Sequence, residues 1–221
     1  MDGGSTDGTI NILKKYASKY DWIGWESKKD KGQTNAINEG LDKATGEIVS
    51  YINADDIYQK GVLKTVGEYF SKHPKTLWVV GKGRTIDEHG KPIAEIVDRY
   101  KNHLLSLNNY NWLLIVNYMF QPSVFLSKKA YEKHGPFSGD KTVMEYELWL
   151  KLGQIEMPKY LEETLSGFRL IRGSISTTQF KKLLLEDENI TEKYTDNQII
   201  LMLHYLHNVG RVITLNLLGI Q

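Results

Sequence analysis

Cysteine is absent from all 221 residues, which excludes disulfide bridges and thiolate metal sites and is compatible with a reducing cytoplasm. A charge surplus is absent too: 28 Lys and Arg stand against 27 Asp and Glu, a formal net charge of +1, with the lysines dispersed. Such a balance gives no electrostatic reason to expect a nucleic-acid partner. No signal peptide is visible at the start, and no repeat or low-complexity linker interrupts the chain. The six histidines form no metal-binding pattern, and the one close pair, His204 and His207, suits partial burial on a packed helix. The apolar run from Ile199 to Leu218 is broken too often, by His204, His207, Asn208 and Arg211, to span a membrane. It can instead pack on the rest of the chain, form a homodimer interface, or lie against a membrane surface.

What is present, 41% hydrophobic and 25% charged residues, is enough at this length for a sizeable core. The apolar residues Ile48, Val49, Tyr51 and Ile52 read as a buried strand that runs into Asn53-Ala54-Asp55-Asp56. A strand ending there delivers two carboxylates to its carboxyl end, where open α/β sheets bind ligands. Adjacent carboxylates repel unless a cation or hydrogen bonds neutralise them, and a hard oxygen pair suits Mg or Mn with substrate phosphates completing the shell. The alternative is that Asp55 or Asp56 caps the next helix.

Two further turns enter helices. Asp2-Gly3-Gly4-Ser5-Thr6-Asp7-Gly8-Thr9 precedes Ile10, Leu13, Ala17 and Tyr20 at helical spacing; its glycines permit positive φ, and Ser5, Thr6 and Asp7 can cap the helix. After an expected strand at Trp22 to Trp25, Asp30-Lys31-Gly32-Gln33-Thr34-Asn35 opens another helix, where Lys31 is either a phosphate-binding cation or a solvated surface charge. Further on, Thr76 to Thr85 and Pro92 to Asp98 read as strands joined around His89-Gly90, and Asn102 to Phe120 as helix or lid. In that last segment Trp112, Tyr118 and Phe120 are either core or a sugar-stacking wall.

Together the segments Asp2–Thr9, Asp30–Gly40 and Asn53–Asp56 resemble the nucleotide-binding half of family-two glycosyltransferases, which have the GT-A fold. The resemblance continues through Gln121-Pro122-Ser123-Val124-Phe125, Gly135-Pro136-Phe137 and the acidic stretch Glu145-Tyr146-Glu147-Leu148-Trp149-Leu150-Lys151-Leu152, and so covers residues 1 to about 175. It implies an α/β, Rossmann-like mixed sheet flanked by helices, spanning residues 1–176, with an α-helical C-terminal extension over residues 177–221. It also implies that Asp2 faces the nucleotide base, Lys31 lies near the nucleotide, Asp55 contacts the ribose region, Asp56 ligates the metal and Glu145 is the catalytic base. At Gly167 to Ser176 many relatives carry a histidine near the diphosphate; Ile171 stands in that place, so Arg169 or Arg172 is expected to supply the charge. The strand that precedes the equivalent of Asp2–Thr9 in such proteins has no counterpart before Met1, so the sheet is expected to be one strand short near the nucleotide.

Sugar transfer requires these residue types for its own reasons. A nucleoside diphosphate leaves as a polyanion while an acceptor hydroxyl attacks the anomeric carbon, so metal and base have complementary tasks. Glu147 competes with Glu145 for the base role, but two positions along a helix turn a side chain by about 200°, so the two cannot share a face. The expectation is an inverting, metal-dependent glycosyltransferase, of hexosyl type, using a nucleotide-diphosphate sugar and a saccharide or lipid-linked acceptor in surface polysaccharide or glycolipid synthesis. It would be cytoplasmic, or peripheral at the inner face of the membrane. The alternative is a non-catalytic nucleotide-binding or scaffold member of the same fold. A nucleotidyltransferase would also set carboxylates and metal against phosphates, but the chain start carries no arginine-bearing glycine-rich phosphate loop.

Overall fold

The computed structural model describes residues 1–29, 31–138, 143–171 and 180–217. Arg172 and the expected domain boundary between residues 176 and 177 lie outside the described residues. Five strands, β1 (Ile48–Val49), β2 (Ile57–Tyr58), β3 (Trp78–Ile86), β4 (Val124–Ser127) and β5 (Lys159–Arg169), form one mixed sheet in the order β1-β4-β3-β5-β2. Among these five strands only the β3–β5 pairing is parallel. The flanking helices are α1 (Thr9–Ala17), α2 (Gln33–Lys43), α3 (Val62–Lys72), α4 (Glu95–Leu107), α5 (Tyr110–Ile115), α6 (Lys128–His134), α7 (Met144–Gly153), α8 (Phe180–Thr191) and α9 (Gln198–Leu217).

β3 opens on three apolar residues in succession, Trp78, Val79 and Val80, because both of its faces are covered there. Trp78 and Val80 join the larger core with Val124 and Leu126 of β4, while Val79 turns to the smaller one with Phe125. Strand pleating imposes that alternation. Val62, Val66 and Phe70 of α3, four residues apart on one face, close the smaller core. The larger core is filled from α5, α7 and α8; Trp78 stacks on Trp149 at 5.6 Å and donates its indole N–H to Glu156 O at 2.8 Å.

Midway along β3 the register with β5 shifts around Gly81, Lys82 and Gly83. A Cβ at Gly83 would stand 2.2 Å from the Phe120 ring, so only glycine admits this approach. On the edge that β4 no longer covers, α4 takes over. Asn102 donates to Gly83 O at 2.9 Å and accepts from Gly83 N at 3.2 Å, while Asp98 accepts from Thr85 N and Oγ1, both at 2.7 Å. These side chains, four residues apart on one helix face, serve the backbone groups that a neighbouring strand would otherwise satisfy.

Three expected strands differ. Trp22 to Trp25 forms none; Trp22 is exposed, and Ser27 alone makes an isolated bridge, to Asp2. The strand leading to Asp55 pairs only at Ile48–Val49, beyond which the chain departs from β4 into a turn. Pro92 makes a single bridge to Ile86, and α4 begins at Glu95, because the Asp98 and Asn102 contacts need a helical spacing. Asn102 to Phe120 resolves into the end of α4, then α5, then an extended stretch; Tyr118 and Phe120 are core and Trp112 is exposed. Among the described residues no helix is long and apolar enough to cross a membrane.

Candidate active site

Asp55 and Asp56 lie in the tight turn between β1 and β2, closed by Asp56 N donating to Asn53 O at 3.1 Å. The turn sits at the carboxyl ends of the parallel pair β3–β5, since Asp56 Oδ1 accepts from Arg169 N, the last residue of β5, at 2.8 Å. Its other oxygen accepts from Asn53 Nδ2 at 3.2 Å, and Asn53 Oδ1 accepts from Gln33 Nε2 at 2.9 Å. The second and third sequence motifs are thereby joined side chain to side chain. Asp55 is exposed while Asp56 is buried, and burial, with the charge of Asp55 adding to it, pushes the Asp56 carboxyl up to about 6 against the two bonds it accepts.

Arg169 braces this turn. Its Nε donates to Asp55 O at 2.6 Å and its Nη1 to Asp87 O and Glu88 O at 2.6 and 2.8 Å. The guanidinium is therefore anchored on three carbonyl oxygens while its charge stays beside Asp56.

At the chain start Asp2 organises its own loop. Its carboxylate accepts from Gly4 N, Ser5 N, Ser5 Oγ and Ser27 Oγ, and the bonds from the Ser27 and Ser5 hydroxyls hold it well below the usual carboxylate range. The wrap needs φ of 91° at Gly4, a conformation that a side chain resists. The N-cap position of α1 is Gly8, which has no side chain to cap with, and Asp7 one residue earlier accepts from Thr9 N, the first amide of the helix, at 2.9 Å. Lys31 is exposed beside Gly32 at the N-terminus of α2.

Glu145 occupies the first turn of α7, half-buried, and its carboxyl is pushed up to about 7, first by burial and then by the charge of Asp187, with Lys101 opposing. Glu147 faces elsewhere: it accepts from Ser138 Oγ at 2.6 Å and lies 3.4 Å from Lys193 Nζ. Tyr51, in the segment after β1, has its hydroxyl held well above its ordinary value by burial and then by the charges of Glu145 and Asp56. Gln121 fixes the Tyr51 backbone through a 2.8 Å bond to its carbonyl, and Phe137 packs edge-on against its ring.

Sequence reasoning gave no role to Gln33, Asn53, Tyr51, Lys101 or Asp187. The first three lie inside or beside the segments Asp30–Gly40 and Asn53–Asp56, and that position is the signal that could have found them. Lys101 and Asp187 carry no such signal, because α4 and α8 reach Glu145 only through tertiary packing.

Residues 1–135 match the family model described as Glycosyl transferase family 2. Chondroitin synthase of Escherichia coli is 23% identical over 195 residues, covering 85% of this chain and 26% of its own length. Among solved structures, a mannosyltransferase from Pyrobaculum calidifontis in complex with GDP-Man and Mn2+ superposes with a TM-score of 0.67 at 16% identity, over 93% of this chain and 59% of that one. S. aureus TarS 1-349 in complex with UDP-GlcNAc gives 0.58 at 15% identity, over 86% and 55%. The chain thus spans about a quarter of the synthase and somewhat over half of either structural relative. These neighbours have the GT-A fold, as does the mixed sheet with its flanking helices. By the match over its first 135 residues, the chain belongs to glycosyl transferase family 2.

Proposed function

We propose that this chain moves a sugar from a nucleotide-diphosphate donor to an acceptor hydroxyl, inverting the anomeric centre, with Glu145 as general base and Asp56 as the metal carboxylate. The observation that carries it is the joining of the sequence motifs at the carboxyl end of the parallel pair, Gln33 on Asn53 and Asn53 and Arg169 on Asp56, in a chain of glycosyl transferase family 2. A group near 7 at neutral pH is poised to take the acceptor's proton, a contribution of roughly 10² to 10⁴ in rate. Glu147, already engaged by Ser138 and Lys193, is the poorer base.

The donor set at the turn fits a hard divalent cation, Mn or Mg. It offers two adjacent carboxylates, and Asp56 is oriented by Arg169 and Asn53 with burial that a cation would offset. Bound there, the ion would offset the negative charge developing on the diphosphate. The Mn2+ in the mannosyltransferase structure supports that choice. Asp55 is assigned to the ribose region, Asp2 to the loop facing the base, and Lys31, Arg169 and Arg172 to the charge around the phosphates. The acceptor is a saccharide or a lipid-linked saccharide, in polysaccharide or glycolipid synthesis, as the resemblance to chondroitin synthase supports. The outward apolar residues Ile199, Met202, Leu206 and Ile213 of α9 support a peripheral association through the C-terminal helices, and the lack of cysteine supports a cytoplasmic setting.

Calorimetric titration of UDP, GDP, CMP and dTDP, with and without Mn, tests the donor site. One nucleotide should bind in a Mn-dependent way, and Asp56→Ala should abolish that dependence with the fold intact; unchanged binding would remove Asp56 from the site. Glu145→Gln should keep donor binding and stop transfer.

A further inference from the structure

Tyr146, next to Glu145, sets its hydroxyl against Leu113 O and Leu114 O of α5 at 2.9 and 3.1 Å. His204 Nδ1 of α9 lies 2.9 Å from the same Leu114 O, and a carbonyl oxygen only accepts, so Nδ1 carries the hydrogen. Nε2 then accepts from Asn208 Nδ2 at 3.0 Å, Asn208 Oδ1 accepts from Arg211 Nη1 at 3.1 Å, and Arg211 Nη1 donates to Asp187 Oδ2 of α8 at 2.9 Å. One acceptor is left over: Asp187 Oδ1 is buried and meets no hydrogen-bond donor among the described residues. Burial pushes the Asp187 carboxyl up, and the Arg211 guanidinium opposes that by favouring its charged form; a buried carboxylate with an unmatched oxygen then projects its charge into surroundings where the low dielectric screens it poorly.

Geometry ties Asp187 to the start of α7: Tyr146, next to Glu145, sets its hydroxyl 3.3 Å from Thr191 Oγ1, which donates to Asp187 O at 3.0 Å. Two charged groups feel the Asp187 charge, Glu145 and Lys101 of α4, whose ammonium lies 4.1 Å over the Phe120 ring. Glu145 is faced by Lys101 from α4, Asp187 from α8 and Tyr51 from the segment after β1. Arg211, His204 and His207 of α9 stand behind Asp187 and Lys101, Asp98 adds to the charge around Lys101, and Glu147 turns to Ser138 and Lys193.

We infer that Asp187 and Lys101 are positioning residues for the transfer, acting through Glu145 with opposite sign, so that the C-terminal helices set the pH range in which the base works. The inference rests on Glu145 as the base. As the acceptor oxygen bonds to the anomeric carbon, its proton passes to a Glu145 oxygen, while the bond to the diphosphate breaks with its electron pair leaving on the phosphate. Asp187 would make Glu145 readier to hold that proton, and Lys101 would make it less so.

The test is a carboxyl-carbon NMR titration of Glu145 in the full chain labelled at glutamate with 13C, the signal assigned by its loss in Glu145→Gln. The wild-type midpoint is expected at about 7. Asp187→Asn, which keeps an oxygen for Arg211, should lower it, and Lys101→Met should raise it, each by roughly one unit. Shifts in the same direction, or none, would overturn the inference even where Glu145→Gln abolishes transfer. Should Asp187→Asn fail to fold by circular dichroism, Lys101→Met decides alone: an upward shift supports the inference and any other result overturns it. Near-normal transfer by Glu145→Gln would instead overturn the assignment of the base, so the two failures are told apart.

Discussion

Glu145 and Glu147 are chemically identical side chains in one helical turn, and both lie where the amides of α7 favour a negative charge. Their surroundings separate them. Glu147 has a hydroxyl and an ammonium to hold its charge, whereas burial of Glu145 outweighs the helix terminus and leaves it near 7, above its ordinary 4.5. Because the folded value is raised, the bound proton favours the folded state: this stability is fully present below about pH 4.5 and is lost as pH rises through about 7. Glu145→Gln should therefore raise the unfolding temperature at pH 8, by an amount equivalent to at most ~3 kcal/mol, and leave it unchanged at pH 4.5. Thermal melts at the two pH values check this; equal gains at both would show that the carboxyl is not held up by burial. Arg169 is a second case in which surroundings decide. The sequence offers a cation at Arg169, and the structure adds three carbonyl oxygens that its N–H groups hold. Arg169→Ala should cost about 2 to 3 kcal/mol in urea unfolding, as several bonds from a charged donor are lost at once.

At the scale of elements, joints between motifs matter more than the motifs do singly. Asn38 of α2 donates to Phe137 O at 2.9 Å and accepts from Phe137 N at 3.0 Å, so the helix opened by Lys31-Gly32 is fastened to the turn at Gly135-Pro136-Phe137. Phe137 in turn packs edge-on against Trp149 of α7 and against Tyr51. Asn38→Ala would strand two backbone groups and should destabilise by about 1 to 3 kcal/mol, measured by urea denaturation. The β3 edge offers a parallel test: Gly83→Ala puts a methyl into the Phe120 ring and should cost about 1 to 3 kcal/mol, whereas Gly8→Ala, with open space around it, should cost far less. The Trp22–Trp25 stretch fails to become a strand for a related reason. Apolar alternation describes a surface that wants burial, but a strand exists only where another strand accepts its ladder.

For the whole molecule, the C-terminal helices pack into the same body as α5 and α7, through Tyr146, His204, Asn208, Arg211 and Asp187, which tie α5, α7, α8 and α9 together. Arg211→Met leaves the Asp187 charge buried without its partner and should destabilise the full chain by about 3 kcal/mol, a loss read from its denaturation midpoint. The outward side of α9 carries Ile199, Met202, Leu206 and Ile213, while His204 and Asn208 point inward, so this helix is amphipathic in a way its mean apolarity conceals.

Local chemistry was legible from residue order alone where it is short-ranged. The turn at Asp2–Thr9, the Asp7 bond to the first amide of α1, the strand near Thr76–Thr85 and the acidic helix with Leu148, Trp149 and Leu152 inward all depend on neighbours a few positions away. Family membership was legible for the same reason, since it rests on short motifs in a set order. Which glutamate finds a hydroxyl and an ammonium and which is held up by burial, that Arg169 braces a turn, and that α4 and α8 bring Lys101 and Asp187 toward Glu145 depend on contacts between residues tens of positions apart. Those were decided only by packing, because burial and Coulomb interactions follow distance through space, which the order of residues along the chain does not specify.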